Sequence, residues 1–146
     1  VEVKMVWAGD FNDPTKARQV ADALIAEGCD VIIGSLNLGM FGLFEAVKAS
    51  PEKVLVTAKY TDKSSYAPDN YITAFLYDFT IPLKSIYESV KAGQLGGYYP
   101  LGFDTGAFIQ TPLQNVDPSV ATEVEQIIQD VIDGKIEVVK DTSEIK

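Results

Sequence analysis

Along the first 60 residues, apolar positions switch back and forth between two spacings. "VEVKMVWAG" at residues 1–9 alternates like a strand and is rich in β-branched residues. "FNDP" then supplies a helix start, with Asp13 as N-cap and Pro14 in the first turn. Ala17, Val20, Ala21, Leu24 and Ile25 follow at helical spacing, and Gly28 stops the run. "DVIIGS" reads as a short strand buried on both faces. A second helix is expected from Phe41 to Ala49, and "KVLVTA" is a third strand. This β-α-β-α-β order, with short connections, predicts a parallel sheet.

The second half is less regular. "TDKSSYAPDN" reads as a polar loop and "YITAFLYDF" as a further strand. Thr80 is placed to cap a helix carrying Leu83, Ile86, Tyr87 and Val90, ended by Gly93. "GQLGGYYPLGFDTGAFIQ" suggests two short strands joined by glycine turns. Asp117 and Pro118 begin a last helix with Val120, Val124, Ile127, Val131 and Ile132 on one face, ended by Gly134. The tail "KIEVVKDTSEIK" is read as an edge strand or a fraying end. The class expected is α/β, a Rossmann-like doubly wound parallel sheet in a single unit of residues 1–146.

The net charge of −9 opposes nucleic-acid binding, which needs lysines and arginines against phosphate. Histidine is absent, which removes the commonest general base and metal ligand. A single cysteine, Cys29, excludes an internal disulfide and reads as a small buried hydrophobe. No P-loop, G-x-S-x-G elbow or G-x-G-x-x-G occurs, so no enzyme, metal or cofactor is expected. No window is apolar enough to span a membrane, and no targeting segment is visible. The strand-like start at Val1 is read as a cut.

Ligands of open parallel sheets bind beyond the carboxyl ends of the strands, near a reversal of strand order. Those ends present Asp10, Phe11, Asn12, Asp13, Ser35, Asn37, Tyr60, Asp62, Tyr77, Asp78 and Phe79. Rings supply stacking faces and carboxylates accept from ring N–H groups, which suits a flat heterocycle. The bland readings compete: Asp13 as a helix cap, Asp62 and Asp78 as loop acids, Tyr77 and Phe79 as core. Phe11 has the least local core to fill. The expected ligand contacts are Phe11, Asn37, Tyr60, Asp62, Tyr77, Asp78 and Phe79.

"VWAGDFNDPTKARQVADALIAEGCDVI" resembles the stretch that opens the second lobe of the basic-membrane-protein (PnrA-like) family of purine- and nucleoside-binding lipoproteins. "FEAVK", "SYAPDNYITA" and "VIDGKIEV" extend the resemblance in order along nearly the whole chain. The resemblance implies a type I periplasmic-binding-protein fold whose two lobes close on a purine or nucleoside for an ABC importer. This chain is then the second half. Residues 1–70 form the lobe core, and 71–146 carry elements that pack on the missing N-terminal half. Partners implied are a small-molecule ligand, that missing half and the transporter permease. A homodimer over exposed apolar surface is the other expectation for the isolated half. The location implied is extracytoplasmic, at the periplasm or as a cell-surface lipoprotein.

By position, Phe11 matches the family's base-stacking aromatic. Tyr60 stands where nucleoside binders place a ribose-gripping Asp, and Tyr77 stands where they place a lysine. Thr61–Asp62 and Asp78–Phe79 look more like the adenine-binding branch, which favours a free base. Two rival readings remain. One is a receiver-like phosphoacceptor using Asp62 with Asp10 and Asp13 around a metal. The other is an assembly module that binds no solute.

Overall fold

Asp13 and Pro14 begin helix α1 (Pro14–Ala26), and the Asp13 carboxylate accepts from the amides of Thr15 and Lys16. The computed structural model describes residues 1–139. After α1 come β1 (Val31–Ile33), α2 (Met40–Ala49), β2 (Leu55–Lys59), a 3-10 turn at Ser64–Tyr66 and β3 (Tyr71–Tyr77). Then follow α3 (Thr80–Lys91), β4 (Ala107–Ile109) and α4 (Pro118–Ile132). The chain divides into two units. The first is Val1–Leu76 with Ile109–Val116, and the second is Tyr77–Phe108 with the part from Asp117 onward.

β1 and β2 are parallel, with Val31 opposite Leu55 and Ile33 opposite Thr57. β2 and β3 are parallel too, with a register irregularity between Val56 and Ala58. The strand order is β1-β2-β3-β4. Within the first unit the Gln110 amide reaches the Ala74 carbonyl at 2.9 Å. The expected α/β class with a parallel sheet is what the chain forms. Neighbouring strands follow sequence order among those described, so a ligand argument rests on strand carboxyl ends without a reversal point.

The core of the first unit lies between α2 and the sheet. Met40, Leu43, Phe44 and Val47 pack with Val56, Ala58, Tyr71 and Ala74, all buried. Helix α1 adds Ala17 and Ala21, and it approaches α2 closely at Gly42. Tyr66 stacks on Phe44 at 5.8 Å and meets Phe41 edge-on at 5.0 Å. Its aromatic weight closes the α2 side of the core.

Several expectations are corrected. Residues 1–9 join no ladder, although their pattern predicts a strand. β1 pairs directly with β2 and leaves no slot between them, while Lys4 holds the segment to Glu27 at 2.9 Å. Val3, Met5 and Trp7 are therefore exposed. β1 is not buried on both faces, since Ile32 enters the core and Ile33 is 68% exposed. Cys29 is only half-buried.

In the second unit Phe79, not Thr80, is the N-cap of α3, and Asp78 before it accepts from the Thr80 amide at 2.9 Å. Asp117 caps α4 through the Ser119 amide at 2.8 Å, as its sequence indicates. Neither helix buries a residue, so the stripes around Leu83 and Tyr87 on α3 and Ile127 on α4 face outward. Residues 94–110 contain one strand, β4, instead of two. The Thr105 hydroxyl takes the Gly102 amide at 2.7 Å and closes a turn where the other strand was expected. Residues 135–139 form no strand, and the rest of the tail lies outside the described residues.

Tyr71 ties β3 to the returning segment at residues 109–116. Its hydroxyl donates to Gln110 Oε1 at 2.5 Å, and the Asn115 side-chain amide donates to the Tyr71 carbonyl at 2.8 Å. Burial pushes the Tyr71 phenol up from 10.0 to about 12. A raised pKa means the folded chain holds this proton more tightly. The contribution is therefore whole below the unfolded value near 10 and is lost as pH rises toward about 12. Urea denaturation of wild type and Tyr71→Phe across that window should show the wild type losing about 1.4 kcal/mol more per pH unit. Parallel profiles would remove Tyr71 from the alkaline transition.

Candidate functional site

The carboxyl ends of β1 and β2 lie side by side because these strands pair directly. The loop after each carries a member of the expected set. Phe11 sits in the turn before α1 and is 60% exposed. Its backbone is fixed all the same: the Phe11 carbonyl accepts from the amides of Asn37 and Gly39, both at 3.0 Å. Those two residues follow β1 and lead into α2. Asp10 completes the turn by accepting the Asn12 amide at 2.8 Å. An exposed ring thus stands on an anchored main chain, beside the exposed Asn37.

Tyr60 follows β2 directly. Its φ is +72°, a left-handed conformation that few residues without glycine's freedom adopt. The Thr61 amide bonds to the Lys59 carbonyl at 2.9 Å, so Tyr60 is the centre of a three-residue γ-turn. Its own amide stays in the sheet, bonded to the Phe75 carbonyl at 2.8 Å. Tyr60 is 54% exposed. Backbone strain beside an exposed aromatic is a recurrent mark of ligand sites.

Asp62 accepts the Ser64 amide at 2.8 Å and starts the 3-10 turn. That bond, with the Ser64 hydroxyl and the Gln110 side chain beside it, holds its carboxyl below the usual range. It is a stable carboxylate at neutral pH, with part of its acceptor capacity spent on its own loop. Next to it, Lys63 directs its ammonium inward. Its Nζ donates to the Lys59 carbonyl at 2.7 Å and to Thr61 Oγ1 at 2.9 Å. Burial lowers its pKa.

In the second unit Tyr77 and Phe79 stack at 5.9 Å with planes 22° apart. Asp78 between them accepts from the Thr80 hydroxyl and amide, which holds its carboxyl low. The Asp78 amide bonds to the Gly106 carbonyl at 2.7 Å.

Within the first unit, then, Phe11 and Asn37 are joined through the main chain, and Tyr60 and Asp62 share one loop on the adjacent strand. Tyr77, Asp78 and Phe79 form a local cluster of their own. Asp13 is a helix cap. Among the described residues no three acids stand close enough to hold a metal, so Asp10, Asp13 and Asp62 do not make a receiver's acid cluster. An open hollow of ≈ 380 Å³ beside α1, lined by Val6, Ala8, Val20, Ala23 and Leu24, shares no residue with the candidate set. Lys63 was not among the expected residues. The only hint in the sequence is its place four residues after Lys59, in a loop dense with polar side chains.

A parallel α/β unit with rings and amides on the loops after its strands has the build of a solute-binding-protein lobe. A solute-binding protein of an ABC transporter system from Aeropyrum pernix K1 shares the fold, with a TM-score of 0.74 at 21% identity. That match covers 98% of this chain and 50% of the other. A solute-binding protein from Conexibacter woesei matches with a TM-score of 0.66 over 93% of this chain and 46% of its own, at 19% identity. The chain belongs to the Bmp family, described as ABC transporter substrate-binding protein PnrA-like, whose model matches residues 1–142.

Among curated relatives, a putative ABC transporter glucose-binding protein of Haloferax volcanii is 30% identical over 89% of this chain and 34% of its own length. The nucleoside-binding protein BmpA of Lactococcus lactis is 24% identical over 94% of this chain and 44% of its own. The chain therefore spans less than half the length of these relatives.

Proposed function

We propose that this chain is the second half of an extracytoplasmic solute-binding protein that takes up a planar, ring-shaped solute for an ABC permease. The observation that carries the reading is Phe11, an exposed ring on a doubly bonded main chain at the carboxyl edge of a parallel sheet. With the main chain already held, stacking has only the ring's own rotations to restrict, so desolvation of two flat faces becomes affinity. Asn37, Tyr60 and the ionised Asp62 supply orienting polar groups from adjacent loops. Tyr77, Asp78 and Phe79 offer the same ring-and-acid chemistry within the second unit. The protein works by binding and release, without catalysis.

A purine base or nucleoside is the solute of choice, supported by the resemblance to purine binders and by the relative named for nucleosides. A hexose is the second reading, favoured by the relative named for glucose, since sugar rings also stack on aromatic faces. Residues 1–70 are taken as the lobe core. The outward stripes of α3 and α4 are taken as surface for the preceding half, with a homodimer as the other cover. A lipid anchor would lie in that preceding half.

The test is calorimetric titration of the full-length protein with adenine, hypoxanthine, guanosine, inosine and glucose. One class should bind at micromolar affinity or better, and at a hundredfold excess over Kd it should add about 2.7 kcal/mol of stability. No heat and no thermal shift from any of the five would overturn the reading.

A further inference from the structure

We propose that Lys63 is a positioning residue of this site: its ammonium clasps the two ends of the Lys59–Thr61 bend and so fixes the direction of the Tyr60 ring. The inference rests on the solute-binding reading and deepens it. A γ-turn through a residue at φ +72° does not persist unless its surroundings hold it. One tie is the Thr61 amide on the Lys59 carbonyl at 2.9 Å. Lys63 Nζ adds two more, to that same carbonyl at 2.7 Å and to the Thr61 hydroxyl at 2.9 Å. On the far side the Asp62 carboxylate holds the Ser64 amide at 2.8 Å. The bend is thus closed both by the Lys63 ammonium and by the turn that follows it. An ammonium has three donors and no rigid plane, so it can bridge a carbonyl and a hydroxyl at once. The ammonium is also half-buried, and its bond to the Lys59 carbonyl is partly shielded from competition with water.

The experiment has two arms on the full-length protein. In the first, amide hydrogen exchange is followed without ligand. Lys63→Met should speed exchange at Thr61 at least about tenfold while the Val56 amide, bonded to the Asn70 carbonyl at 2.8 Å, keeps its rate. In the second, affinity for the best solute of the panel is measured per folded molecule. Lys63→Met should weaken binding about tenfold, Lys63→Arg should recover most of the loss, and the effect should shrink below about twofold in a Tyr60→Ala background. A residue that merely supported the fold would show the same loss with or without the Tyr60 ring. Unchanged Thr61 exchange, or an equal loss in both backgrounds, overturns the proposal. Absence of binding by the wild type overturns the solute reading instead, and the exchange arm still judges the clasp.

Discussion

Replacing Gly42 with alanine should cost about 3 kcal/mol of stability, against the gain of about 1 kcal/mol that the same change brings in an open helix. Gly42 lies in the first turns of α2, where α1 crosses. A Cβ there would stand 2.0 Å from the Pro14 carbonyl oxygen and 2.8 Å from the Arg18 nitrogen. Both obstacles are backbone of another helix, so no rotamer change relieves them. The helices must separate, and separation opens the contact that buries Ala17 and Ala21 completely. Small residues on α1 and a glycine on α2 are one device: they let two backbones touch so that Phe44 and Val47 reach the sheet. Because α2 leads out of the Asn37 loop, the shift should also loosen the amides that grip the Phe11 carbonyl. Urea titration of Gly42→Ala gives the sign directly. A stabilised or neutral variant would mean the two helices do not meet as described.

How much of this the residues announce depends on whether a feature is local. Asp13–Pro14 and Asp117–Pro118 mark helix starts that involve only neighbouring side chains, and both caps form. The parallel sheet follows from β1, α2 and β2 in sequence. The segment at residues 1–9 fails because alternation shows a preference for extended backbone but does not provide a partner strand. β1 misleads for a related reason. Its unbroken apolar run is compatible with two covered faces or one, and only the packing of α1 and α2 decides which. Phe11 could be singled out from its place between a glycine-acid pair and a cap. The γ-turn at Tyr60 could not, because a positive φ on a tyrosine has no compositional signature. Nor could the inward turn of Lys63, since lysine in a polar loop ordinarily points to water.

Phe11→Ala should weaken solute binding tenfold or more while moving stability by less than about 0.5 kcal/mol. The two halves of that expectation have separate grounds. Stability is spared because Phe11 is 60% exposed and lies outside the core cluster, and because its carbonyl, which accepts from Asn37 and Gly39, survives the substitution. The turn should therefore keep its shape without the ring. Affinity suffers because a stacking face worth about 1.4 kcal/mol corresponds to a factor of ten in Kd. Phe11→Trp should retain binding, since a larger face on the same main chain still stacks, whereas Phe11→Leu should recover only the desolvation. Calorimetry on the full-length protein separates the outcomes. If Phe11→Ala lowers the melting temperature and leaves affinity per folded molecule intact, the ring is packing material. The binding surface would then have to be sought on other loops.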